Sequence, residues 1–348
     1  MIQKKLSIIL LIFMTFGLLT ACSRNETDYK IGMVTDSGPI SDNHLNQAVW
    51  EGLEKIQKKY GVEINYYCPS SADTQSFMQG VKTLVESGYN IIVLPGALFT
   101  EALQEASDTY KECLFIAIDC NPPQISDNVA AAVFDKSQAG FLAGFASALE
   151  LEGYRFGGVF GSSSASNQEL LSGFLQGVNY AVDNSGAKVT ADKSDFVFLS
   201  DSVDYPLGQQ QAATLFENGV NCLLVSSDPS GLGALAEARM RRTVGDDIWI
   251  VGSDVDVFDT AMYDPDKDLS TVVTSAVCDY GKAVEVIAAD IIEGDVSPLG
   301  QLSVFDLEKE AVGLPKDNPN LSKETIEACS QLKEKLLGNE IIIANAIK

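Results

Sequence analysis

From Tyr29 onward the chain alternates short apolar runs with stretches of helical spacing, and it does so in two successive series. In the first series, residues 29–34, 62–68, 90–94, 114–119 and 129–134 are predicted strands. Helices are predicted between them over 45–60, 74–86 and about 100–110. Phe77, Val81 and Leu84 illustrate the pattern, since spacings of four and three gather them on one helical face. The second series opens with a helix over 137–150. It continues through strands 156–160, 195–199, 222–225 and 248–252, with helices over 167–182, 208–218 and 232–241. Strand–helix units of this length build parallel sheets covered by helices on both faces, so the fold class is α/β, and two series make two lobes. The tail adds a strand over 269–275, a helix over 279–292, a further strand after about 302 and a helix over 322–337.

The N-terminus carries an export pattern. Lys4 and Lys5 precede an apolar run from Leu6 to Leu19, and Leu19-Thr20-Ala21-Cys22 closes it. That run is too short to span a bilayer comfortably. The tetrad resembles a bacterial lipobox, which implies removal of residues 1–21, lipid attachment at Cys22 and a tether over 22–28. Several acyl chains on one residue would hold the protein on the extracytoplasmic face of the cell membrane. The other cysteines, Cys68, Cys113, Cys120, Cys222, Cys278 and Cys329, are scattered without a C-x-x-C pair, so neither a disulfide nor a metal is assigned. A formal charge of -24 argues against nucleic acid as a partner.

Enzyme patterns are missing. His44 is the only histidine and is expected at the surface, so no imidazole cluster can hold zinc. Gly161-Ser162-Ser163-Ser164 is not a nucleophile elbow, and no histidine follows it to complete a triad. Neither G-x-G-x-x-G nor a Walker lysine motif follows the first strand, and no cofactor is expected.

In open parallel sheets ligands lie beyond the carboxyl ends of the strands. Polar residues at those ends are Thr35-Asp36-Ser37-Gly38, Pro95-Gly96 and Asp119 in the first series. In the second they are Gly161 to Ser164, Ser226-Ser227-Asp228 and Ser253-Asp254. Asp36 and Asn46 bracket the loop into the first helix, so both could face one cleft. A turn role for Asp36 and a capping role for Asn46 stand equally open.

Val34-Thr35-Asp36-Ser37-Gly38 with Asn46 to Gly52, Asp127-Asn128-Val129 with Phe134 and Ala139 to Gly144, Ile250 to Asp256, and Thr274-Ser275 occur in one order along the chain. Together they resemble the basic membrane protein family of lipoproteins, which includes purine-nucleoside-binding components of ABC transporters. The resemblance implies a type I periplasmic-binding-protein architecture with three crossings between the lobes. On that plan one lobe takes residues 29–135 and 256–295, and the other takes 136–255 and 296–348. It also implies base contacts from Asp36 and Asn46, ribose contacts from Asp254 and a further contact from Asp119.

Three positions depart from the family pattern. Leu45 and Ser202 stand where the family places phenylalanines, and Cys278 stands where it places a lysine. Tyr205, Phe258 and His44 are the nearby rings that could substitute. The expected function is ligand capture by a monomeric lipoprotein for an ABC permease, with a purine nucleoside or related small polar ligand. The alternatives are a sugar or other small molecule, or a sensory receptor domain that signals to a membrane partner.

Overall fold

The computed structural model describes residues 29–200 and 204–344. In chain order the first lobe opens with β1 (Lys30–Val34), α1 (Leu45–Tyr60), β2 (Glu63–Tyr67) and α2 (Thr74–Glu86). It continues with β3 (Ile91–Pro95), α3 (Thr100–Thr109), β4 (Leu114–Ile118) and β5 (Val129–Phe134). The second lobe follows with α4 (Lys136–Glu150), β6 (Arg155–Phe160), α5 (Ala165–Ser185), β7 (Thr190–Phe198) and α6 (Tyr205–Glu217). After these come β8 (Cys222–Val225), α7 (Pro229–Thr243) and β9 (Trp249–Asp254). A small hairpin, β10 (Met262–Asp264) and β11 (Leu269–Ser270), leads to β12 (Val272–Cys278), α8 (Tyr280–Glu293), β13 (Gln301–Phe305), β14 (Val312–Gly313) and α9 (Lys323–Leu337).

The first sheet has the order β13-β5-β4-β3-β1-β2 and the second β14-β12-β9-β8-β6-β7. All ladders in both are parallel except the short β12–β14 pair. In each sheet the first strand of the lobe lies between the second and third, so β1–β3 and β6–β8 are the points where the strand order reverses. Ligand crevices open at such points. The central strand β3 is buried at every position, which is why it reads as an unbroken apolar run. Local signals agree with the elements: the Asp73 carboxylate caps α2 by accepting from Ser76 N–H at 2.8 Å. Gly61, at φ 74°, ends α1 in the left-handed conformation.

α4 and α5 pack closely enough that glycine is required on both. A Cβ on Gly173 or Gly177 would lie 2.0 Å from the carbonyl oxygens of Ser137 and Phe141, and one on Gly144 2.2 Å from that of Phe174. This pairing fixes the start of α4, where the chain enters the second lobe.

The three crossings are present, but two sit elsewhere than expected. Residues 256–295 do not return as a block to the first lobe. β12 pairs with β9 in the second sheet, and only α8 goes back, to pack on α1. Likewise, β13 within 296–348 pairs with β5 in the first sheet, and the chain re-enters the second lobe at β14. The crossings therefore follow β5, β12 and β13. Their aromatic residues meet at one point: the Phe134 ring is 4.8 Å from that of Tyr280 and 5.7 Å from that of Phe305. Backbone hydrogen bonds from Asp135 to Phe305 (2.9 Å) and from Asp279 to Ala311 (2.8 Å) tie the segments together. Among the described residues no helix is long and apolar enough to cross a membrane.

Candidate functional site

The carboxyl ends of β1, β4, β9 and β12 converge between the lobes. At the end of β1 the turn is held by its own aspartate. Asp36 Oδ1 accepts from Gly38 N–H at 3.0 Å and from Asn46 Nδ2 at 2.7 Å. Asn46 is fully buried in the first turn of α1. An ionised carboxylate can only accept, so the contact fixes the orientation of the Asn46 amide, with its NH2 toward Asp36. The amide oxygen is left buried without a partner among the described residues, as are Thr35 Oγ1 and His44 Nε2. Three orphaned polar atoms from one short segment mark a place where a ligand can supply what the fold does not.

Across the cleft, Asp254 lies at the end of β9 and accepts four hydrogen bonds. Lys136 Nζ (2.5 Å) and Tyr280 OH (2.8 Å) donate to Oδ1. The hydroxyls of Ser227 (2.6 Å) and Ser253 (3.4 Å) donate to Oδ2. Lys136 Nζ also lies 3.0 Å from Oδ2 of Asp119, at the end of β4. Lys136 is only 6% exposed and Tyr280 2%. Asp119 and Asp254 both adopt left-handed backbone conformations, at φ 53° and 67°, and Ser37 does so at φ 87°. Non-glycine residues there are uncommon and collect at functional sites.

The electrostatics follow from this packing. Burial alone would raise the Asp254 pKa, but the Lys136 ammonium outweighs it and holds the carboxyl well below the usual range. Burial opposes the charge on Lys136, and the carboxylates of Asp119 and Asp254 overcome it, so its pKa rises. Burial raises the pKa of the neighbouring Cys278 thiol, and Lys136 pulls it back in part. Tyr280 is pushed up first by burial and then by Asp254.

The structure places Asp36 against Asn46 and gathers Asp119, Ser227 and Asp254, three strand-end residues, with Cys278 in a second cluster. Ser37 is exposed on its turn, and its carbonyl faces the Cys68 thiol. Leu45 is buried in the hydrophobic core and packs toward Gly96, just past the end of β3. Ser202 and Cys22 lie outside the described residues. His44 is not a surface residue: it is half-buried, and its Nε2 is shielded from solvent. A cavity of about 380 Å³ beside it is lined by Asn43, His44 and Glu51 of the first lobe and by Asp256, Asp259 and Thr260 of the second.

Two residues of the cluster escape the strand-end reading. Lys136 lies two residues past β5 as the first residue of α4, and although the sequence reading already ends that strand at residue 134, it does not extend to the residues after it. Tyr280 begins α8, and nothing in its sequence neighbourhood ties its hydroxyl to Asp254. The six described cysteines are free thiols, five of them buried.

Comparison with known proteins agrees with this architecture. A CD4+ T-cell-stimulating antigen of Listeria innocua is 27% identical over 325 residues, which cover 91% of this chain and 88% of that one. The ABC transporter nucleoside-binding protein BmpA of Lactococcus lactis is 24% identical, over 91% of this chain and 90% of its own. Among solved structures, an ABC transporter solute-binding protein from Aeropyrum pernix superposes with a TM-score of 0.74. It is 20% identical and is matched over 92% of this chain and 94% of its own, a likeness of fold. Residues 29–346 match the family model described as ABC transporter substrate-binding protein, PnrA-like. The chain belongs to that family, whose members bind substrates for ABC transporters and are not enzymes.

Proposed function

We propose that this chain captures a purine nucleoside, or a related small polar ligand, between the strand ends of its lobes and presents it to a membrane permease. The observation that carries the reading is the fully buried Asn46 amide oxygen, which lacks a partner among the described residues while the amide's NH2 is held by the Asp36 carboxylate. Two acceptors from one short segment, this oxygen and the Asp36 carboxylate, suit the N–H donors of a base, and a site built to pair such donors discriminates strongly against analogues that lack them. The name of the Lactococcus relative supports the nucleoside class. Asp254, whose oxygens already accept four hydrogen bonds, acts by holding Ser227 and Lys136 in place for a ribose, and less by gripping a free diol itself. The remaining oxygen of Asp119 is the acceptor on the first-lobe side of that contact. Closure of the two lobes around the crossings then forms the state the permease recognises. Leu19-Thr20-Ala21-Cys22 supports anchoring through lipid on Cys22.

The test is titration calorimetry on protein beginning after Cys22, refolded to strip carried-over ligand, against adenosine, guanosine, inosine, cytidine and galactose. One-to-one binding of a purine nucleoside is expected. Heat only from galactose, or from none of the five while the protein is folded, would overturn the nucleoside assignment.

A further inference from the structure

The ammonium at the centre of the cleft comes from an unexpected place. Position 278, at the end of β12, is where a cation belongs by family resemblance, and it holds a buried thiol. The cation present is Lys136, delivered from the first residue of α4, two residues past the end of β5. Its Nζ reaches Asp119 of the first lobe at 3.0 Å and Asp254 of the second at 2.5 Å. One buried charge therefore touches both lobes, beside the point where all three crossings meet. Without it, Asp119 and Asp254 would face each other as like charges in a site shielded from water. With it, two of the three ammonium N–H groups are engaged by carboxylates, and the third, with no acceptor among the described residues, is left to a ligand. The thiol of Cys278 is small and neutral, which leaves the space and the carboxylates to Lys136.

We propose that Lys136 is a specificity-determining residue of the ligand cleft, supplying its cation from the crossing and joining the ligand-facing carboxylates of the two lobes. This rests on the cleft being the ligand site. The role belongs to an ammonium between Asp119 and Asp254, and not to residue 136 as such. A lysine introduced at position 278 can therefore take it over. A purely packing role for the Lys136 side chain would not allow such rescue, because an apolar side chain of similar length would suffice.

The experiment compares the wild type, Lys136→Met and the double variant Lys136→Met/Cys278→Lys. Calorimetry with adenosine, guanosine and inosine reads binding, and small-angle scattering without ligand reads how closely the lobes sit. Lys136→Met is expected to weaken binding at least about 30-fold, in line with the loss of one partner of a buried charge pair. It should also enlarge the radius of gyration. The double variant should recover both. Wild-type affinity in Lys136→Met, or a folded double variant with neither property restored, would overturn the proposal. If Lys136→Met does not fold, the double variant decides: recovery of fold and compactness supports the assignment, and failure to fold refutes it. If the wild type binds none of the three nucleosides, the nucleoside reading fails, while the scattering comparison still tests Lys136.

Discussion

Replacing Asp254 with Asn keeps the shape of the side chain and removes its charge. The oxygen of the amide can stay toward Lys136 and Tyr280, and the NH2 can face Ser227 and Ser253, whose hydroxyls rotate to accept. The hydrogen-bond count is thus nearly preserved, and what disappears is the charge opposite Lys136. That ammonium keeps Asp119 at 3.0 Å, so it is not stranded. The loss should fall below the roughly 3–5 kcal/mol of a broken buried pair and above the roughly 1 kcal/mol of a neutral hydrogen bond. About 2–3 kcal/mol is expected, or some 30- to 150-fold in the unfolding equilibrium. Urea denaturation at pH 7, followed by fluorescence, reads it well, because Trp50 lies in the first lobe and Trp249 opens the strand that ends in Asp254. Asp259→Asn, at an exposed position, is the control and should stay within about 0.5 kcal/mol of the wild type. The pH dependence has a definite sign. The folded pKa of Asp254 lies below its unfolded value, so its contribution is complete above about pH 4 and is lost as pH falls through the folded pKa. The gap between variant and wild type should therefore be flat from about pH 5 to 8 and should narrow in acid. A loss under about 0.5 kcal/mol at pH 7, or a gap that widens toward pH 3, would refute this account of the cluster.

Tyr280→Phe keeps the ring packed on Phe134 and removes one hydrogen bond to a charged acceptor, so calorimetric or urea unfolding should show a loss of about 1.5–3 kcal/mol. Glu169, at the start of α5, has its pKa raised to about 7, first by burial and then by the Asp135 carboxylate. A raised folded pKa gives stability that is complete below the unfolded value and lost as pH rises through 7. Glu169→Gln should thus match the wild type near pH 4 and melt higher at pH 8, and equal melting at both values would sink the assignment. Gly177→Ala puts a Cβ 2.0 Å from the Phe141 carbonyl, and urea midpoints should report a loss of about 1–3 kcal/mol as α4 and α5 are forced apart.

Much of this architecture is legible in the sequence because local pattern and tertiary role coincide. β3 is buried on both faces, so it reads as continuous apolar residues. α1 and α2 each bury one face and end or begin in cap residues, and their predicted bounds agree with the structure. The tail is where pattern runs out. β12 is a buried strand of seven residues and β13 a mostly exposed one of five, but neither pattern names its sheet, and only pairing with β9 or β5 distinguishes the lobe each joins. At the site, Asp36, Asp119 and Asp254 are found by their position after strands. Lys136 is hidden because lysine is rarely buried, and a residue opening a helix invites a surface reading. The Tyr280 hydroxyl meets Asp254 only through the crossing, across 26 residues of sequence. Leu45 is read from resemblance as a departure at a ring position, and its packing toward Gly96 follows only from the tertiary fold.

The central claim is that ligand is held between the strand ends of the two lobes, and amide hydrogen exchange with and without a saturating bound ligand tests it most directly. The account predicts added protection in residues 35–46 of the first lobe and in 226–228 and 253–256 of the second, with little change in α9. Protection confined to one lobe, or centred on α9 and the segment before it, would contradict it.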